Sequence, residues 1–197
     1  MAFNISQFLQ GLPLDGARPN LFDLTFTFPQ IVDLGSLAGQ QMTVHAKSAQ
    51  LPGATVGMAP LFYFGREIKL AGNRQWQDWT VQIINDEDFT VRNAFEQWAN
   101  AINDPVLNVR DPGASRLDGG YGSEVMINHY GKDGSTIKQY AMVGMFPLDV
   151  APIDLDWGAN DQIEEFVVTL AYQYGFDPRL TNPGGVDSLM SLVKSLI

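Results

Sequence analysis

The chain contains no cysteine, which excludes disulfide bonds and thiolate zinc sites. Its only two histidines, His45 and His129, are far apart and lie in no ligand-spaced cluster, so no metal site is expected. No apolar run approaches the roughly 20 residues of a membrane-spanning helix, and no stable membrane insertion is expected. Residues 1–12, MAFNISQFLQGL, lack a basic leading region and do not read as a secretory signal, which makes an intracellular origin the expectation. Charge is sparse, at 17% of residues, and mostly of one sign: 12 basic side chains against 22 acidic, a formal −10. Such a surface repels phosphates and argues against gripping nucleic acid. It does not argue against lining a channel through which nucleic acid slides. Sparse charge beside 45% hydrophobic residues points to surface that meets other protein. At 197 residues the chain is long enough for one domain with a sizeable core.

Alternation of bulky and small or polar residues is the dominant pattern. Phe22, Leu24, Phe26 and Phe28 share one face of a strand, with Asp23, Thr25 and Thr27 on the other. Trp79, Val81 and Ile83 alternate with Thr80 and Gln82. Phe166, Val168, Leu170, Tyr172 and Tyr174 form a bulky face, and Val167, Thr169, Ala171 and Gln173 a mild one. Weaker strands fit 42–50, 62–70, 124–130 and 136–145. The reading is a mainly β, antiparallel sandwich or barrel with one packed helix over about 86–103. That helix carries Val91, Phe95, Trp98 and Ile102 as a single apolar stripe, and Asn103-Asp104-Pro105 ends it. A turn-rich linker leads to a tail, 186–197, with a stripe of Leu189, Leu192, Val193 and Leu196. A helix so short is marginal alone, so the tail needs a partner surface.

Candidate sites are few. Asp86, Glu87 and Asp88 suit a hard cation by ligand type. They also lie at the start of the helix, where Asn85 or Asp86 can accept free amides, and capping is the simpler reading. Asp154 and Asp156 would lie about 6.6 Å apart on one strand face, with Leu155 inward. No His, Ser or Lys completes a catalytic arrangement around them. The glycine-rich 111–122 stretch lacks the strand-to-helix context and the Lys-Ser/Thr ending of a phosphate loop. Trp79 and Trp98 fall on apolar faces and read as core, whereas Trp76 and Trp157 are interface candidates. No catalytic residue, cofactor site or metal site survives. One further feature is the segment 51–64, LPGATVGMAPLFYF, an apolar, uncharged stretch expected to be a loop that docks on another surface. Its candidate contact residues are Leu51, Met58, Leu61, Phe62 and Phe64.

Several segments resemble the tail tube proteins of contractile-tailed bacteriophages. They are ARPNLF at 17–22 with Leu51-Pro52, REIKLAGNRQWQDWTVQIINDED at 66–88 running into Arg92, Phe95 and Trp98, GMFPLDVAPIDLDW at 144–157, and IEEFVVTLAYQY at 163–174. The resemblance implies a 17–174 tail tube barrel domain, flanked by a 1–16 extension and a 175–197 extension with a short amphipathic helix. It implies six-fold rings whose strands join into one β-barrel, with the rings stacked into a tube inside a contractile sheath. DNA would pass down the bore without tight binding. Implied partners are the chain itself, the sheath, baseplate and tail terminator proteins. The implied location is the virion tail, assembled in the host cytoplasm. The fold of type VI secretion tubes is similar, so a tube subunit of a phage-derived injection device is the alternative. A carbohydrate-binding β-sandwich using Trp76 and Trp157 is a more distant one. In the tube reading, 51–64 stacks rings, and Val167, Thr169, Ala171 and Gln173 line the bore.

Overall fold

The computed structural model describes residues 5, 10–12, 16–114 and 120–179. Within them, nine strands and two helices of more than two turns follow the order β1 (Phe22–Thr27), α1 (Gly35–His45), β2 (Ala46–Ala49), β3 (Ala54–Tyr63), β4 (Arg66–Trp76), β5 (Trp79–Ile84), α2 (Thr90–Ile102), β6 (Ser123–Tyr130), β7 (Thr136–Val150), β8 (Glu165–Ala171) and β9 (Tyr174–Phe176). All pairings are antiparallel. One sheet runs β1-β6-β7-β8-β5-β2, with β9 also on β7, and β3 and β4 form a separate ribbon.

Strand β7 belongs to both halves of the large sheet. Its first part pairs with β6 and β9, and residues Phe146 to Val150 pair with β8. Between them the ladder to β6 is bulged, and Gly144 adopts φ +69°. That left-handed backbone is open to glycine at little cost and lets one strand turn from one half-sheet into the other. The halves thereby enclose one core. It gathers Leu24 and Phe26 of β1, Trp79, Val81 and Ile83 of β5, Val125 and Ile127 of β6, and Phe166, Val168 and Leu170 of β8. The alternating faces expected of β1 and β5 are those observed; the one expected over 166–174 holds through Tyr172, after which β8 has ended and Tyr174 opens β9 on β7, half-buried.

Helix α2 buries Val91, Phe95 and Trp98 of its stripe, with Ile102 half-buried at the end. Phe95 meets Phe26 and Phe28 edge-on at 5.6 and 5.0 Å, and Trp98 meets them at 6.3 and 5.7 Å. The Trp98 indole donates to Tyr121 O at 2.9 Å, so its one polar atom is satisfied. The helix begins later than the sequence pattern implied. Its start is set by Phe89 in a left-handed conformation, and the acids precede the first turn. Of them, Asp86 Oδ1 accepts from Thr90 N at 3.2 Å, whereas Asn85 donates to Glu164 Oε2 at 2.7 Å.

A second helix, α1, stands where the sequence pattern implies none. The segment 42–50, expected as a strand, is helix as far as His45 and strand only from Ala46. Helix α1 has no strong apolar stripe; it packs through closeness. A Cβ on Gly39 would lie 2.6 Å from Phe26 O, and one on Gly35 2.7 Å from Phe28 Cβ. The two glycines let the helix backbone lie directly on the end of β1, with Ala38 and Met42 filling the remaining space.

Candidate assembly surfaces

Residues 51–64 do not form a loop. Most of them are β3, which turns at Phe64-Gly65 and returns as β4. Both turn residues have positive φ, 46° and 75°, the geometry of a two-residue primed hairpin turn. The 62–70 strand expected from sequence is therefore the hairpin tip itself. Ten residues at about 3.3 Å each make an arm of about 33 Å. All of β3, and β4 up to Gln75, is exposed. The arm is rooted by Trp76, half-buried 5.8 Å from the Tyr172 ring and beneath Arg74. Trp76 thus contacts its own subunit. The Tyr172 hydroxyl reaches Gly53 O at 3.4 Å, and burial raises its pKa.

The register divides the arm's candidates between two faces. Leu61 opposes Ile68, Ala59 opposes Leu70, and Tyr63 opposes Arg66. Met58, Pro60 and Phe62 oppose Ala71, Lys69 and Glu67 on the other side. One face is apolar with Arg66 at its tip; the other is mixed. Ile68 and Leu70 complete the apolar face; the sequence pattern does not single them out, because what brings them opposite Leu61 and Ala59 is the turn at Phe64-Gly65. Gly65 was the available signal.

A second surface is the uncovered side of the half-sheet β7-β8-β5-β2. Val167 opposes Gln82, which opposes Ser48, and Thr169 opposes Thr80 on one flank and Asp149 on the other. Ser48 Oγ donates to Gln82 Oε1, and Gln82 Nε2 to Glu165 Oε2, while Lys47 Nζ pairs with Glu165 Oε1 at 2.6 Å. The result is a flat wall of short and hydrogen-bonded side chains. Gln173 lies beyond the end of β8, exposed, and its amide donates to Val143 O.

A third surface joins β7 to β8. Residues 151–156 are not a strand, so Asp154 and Asp156 share no strand face. Asp156 Oδ1 accepts from Gly158 N at 2.9 Å in a turn. Leu155 points outward, 85% exposed, and Trp157 is fully exposed. Arg92 donates to Ala151 O at one end of this loop, and Asn85 N to Glu164 O at the other.

No group of three or more potential metal ligands forms among the described residues. His129 Nε2 lies 2.8 Å from Arg18 O, and the outward Asp23 accepts from Asn128 and Tyr130, raising the tyrosine pKa. These contacts fasten β6 to β1 and to the segment that precedes it. Asp104 takes the amides of Leu107 and Val106, and Asp133 the hydroxyl and then the amide of Ser135, so both acids sit below their ordinary pKa as turn acceptors. The 111–122 stretch opens with a 3-10 turn, Pro112–Ala114. The expected tail helix at 186–197 lies outside the described residues, as does most of the 1–16 segment. No helix among the described residues is long and apolar enough to cross a membrane.

The family model for phage tail tube proteins matches residues 17–175. Tail tube protein gp19 of Enterobacteria phage T4 is 31% identical over 165 residues, covering 81% of this chain and 91% of the relative. By structure, the chain is similar to one in the tube-terminating cap of the anti-feeding prophage, with TM-score 0.57, 18% identity, and 82% and 89% of the two chains covered. It is also similar to a chain in the extended sheath–tube complex of the contractile injection system PVC, with TM-score 0.55, 15% identity, and 89% and 98% covered. At that identity the structural likeness speaks to the fold, and the sequence matches speak to kinship: the chain belongs to the phage tail tube protein family.

Proposed function

We propose that this chain is the repeating subunit of the inner tail tube, assembling as six-membered rings that stack and conduct the genome during ejection. The observation that carries the reading is the half-sheet β7-β8-β5-β2. One of its faces is core and the other a flat, hydrogen-bonded wall, and both of its edges, β2 and residues 146–150 of β7, lack a partner strand among the described residues. Edges of this kind invite pairing, and a ring that joins β2 to β7 of the next subunit removes them all. The uncovered wall, with Val167, Thr169 and Ala171, then faces the bore. The arm stacks one ring on the next. Family membership supports sheath, baseplate and terminator proteins as partners and a role without catalysis, cofactor or metal.

Negative-stain microscopy of the purified full chain tests this. Rings or tubes about a central hole are expected. A monodisperse monomer at high concentration, with no rings in any salt, would overturn it. An injection-device tube would give the same images, and DNA-filled particles from the parent system separate the two.

A further inference from the structure

The arm and the 151–164 loop leave the half-sheet at opposite ends. At one end Trp79 pairs with Leu170, and at the other Ile84 pairs with Glu165. The arm departs beside Trp79, whose indole donates to Gln50 O, and is anchored on Tyr172. The loop runs from Val150 to Glu165, at the Ile84 end. When rings repeat head to tail, the arm end of each subunit therefore meets the loop end of a subunit in the next ring. Such a contact is heterologous, and heterologous contacts build open-ended polymers.

The two surfaces also match in chemistry. Residues 54–76 carry Arg66, Lys69 and Arg74 against Glu67, a net +2, while the rest of the chain holds nine basic against 21 acidic residues. The loop 151–164 has Asp154, Asp156, Asp161 and Glu164 and no basic residue. Around its acids it exposes Leu155, Trp157 and Ile163, beside a shallow concavity of about 460 Å³. The arm offers a flat apolar face of Leu61, Ile68 and Leu70, ending at Arg66. Opposite charge steers and registers such contacts, and apolar burial holds them.

We infer that the arm's Leu61–Ile68 face docks on the 151–164 loop of a subunit in the adjacent ring, with Arg66 meeting its aspartates. The inference rests on the tube reading and adds the receptor for the arm. It separates the arm's faces: Arg66 takes part, and Lys69, on the reverse, does not.

The natural absence of cysteine permits a clean test. Full-length chains carrying Ile68→Cys and, separately, Leu155→Cys are mixed, assembled and oxidised. A crosslink between the two variants is expected in tubes and not in isolated rings. Arg66→Glu is expected to lower tube yield about tenfold, Lys69→Glu to change it little, and Asp154→Arg with Asp156→Arg to restore the Arg66→Glu chain, since like charge opposed across an interface is costly. Normal tubes without the crosslink, or normal tubes from the Asp154→Arg, Asp156→Arg chain alone, would overturn the receptor and leave the arm's stacking role intact. Normal tubes from a Leu61→Asp, Ile68→Asp chain would overturn that stacking role itself. Circular dichroism of each variant separates misfolding from lost assembly, and the cysteine pair, being conservative and exposed, decides if a charge variant misfolds.

Discussion

Leu61 lies directly across the ribbon from Ile68, and both side chains are open to solvent on an arm that stands away from the core. Residues so placed contribute little to the subunit's own stability. Leu61→Asp with Ile68→Asp should leave the urea midpoint nearly unchanged, within about 0.5 kcal/mol, as for surface substitutions generally. Tubes should nevertheless fail to form, and sedimentation should show rings or subunits only. Met58→Asp, on the reverse face, should be the milder change.

That arm also shows where sequence reading works and where it stops. Strands β1, β5 and β8 were legible because each has one buried face, so burial itself imposes period two. Helix α2 was legible through the four, three, four spacing of Val91, Phe95, Trp98 and Ile102. The arm has no buried face, so nothing forces alternation, and 51–64 reads as a bare apolar run. Its turn hides because Phe64 occupies a positive-φ position where Asn, Asp or Gly is the usual signal. Helix α1 hides for another reason: Gly35 and Gly39 pack by having no side chain, which a hydrophobic pattern does not register. Asp154 and Asp156 look like a strand pair only until the Asp156–Gly158 turn is seen.

Gly144 permits the crossover of β7 between half-sheets. An alanine there would carry a Cβ 2.7 Å from Gln173 Cγ, on a backbone at φ +69°. Gly144→Ala should destabilise by at least the about 1–2 kcal/mol that a left-handed backbone costs an L-residue. Adding Gln173→Ala should recover the steric part and leave the backbone part. Equal stability of the single and double variants, measured by urea denaturation, would show that the close approach is absent.

The aromatic cluster of Phe26, Phe28, Phe95 and Trp98 ties α2 to β1. Phe95 is fully buried. Phe95→Ala should cost about 3–5 kcal/mol, and the loss should appear in subunit stability before any effect on assembly is seen. A variant that melts normally but cannot assemble would place Phe95 at an interface instead.

Strand β9 is fastened to β7 by Lys138 Nζ, 2.6 Å from Asp177 Oδ2. Burial pushes the Asp177 carboxyl up, but the hydrogen bonds from Lys138 and the Arg179 amide, with both positive charges, outweigh it and hold the group below its ordinary value. The folded state therefore binds this proton less readily than the unfolded chain. The contribution is complete above the unfolded pKa of about 4 and is lost as pH falls through the lowered folded value. Asp177→Asn should lower stability at neutral pH by up to about 1 kcal/mol, because Lys138 is partly exposed and water screens the pair. It should also flatten the acid limb of stability against pH. An unchanged acid limb would remove Asp177 from this role.

The proposed bore wall should let DNA slide. Its charged groups are Asp149, Glu165 and Lys47, and Lys47 is already held by Glu165. Around them stand Ser48, Thr80, Gln82, Val167 and Thr169, which offer phosphate no cation. Affinity for DNA at low salt comes mainly from counterions released when lysine or arginine neutralises phosphates, with a slope of about −0.9 per phosphate in log–log form. Wild-type tubes should therefore retain little DNA even at low ionic strength. Gln82→Lys with Thr169→Lys puts two cations per subunit on this wall without touching the core. Tubes of that variant should hold DNA tightly at low salt and release it steeply as salt rises. Tight, salt-sensitive binding by the wild-type tube, or a double-lysine tube that behaves like wild type, would mean that a different face of the subunit lines the bore.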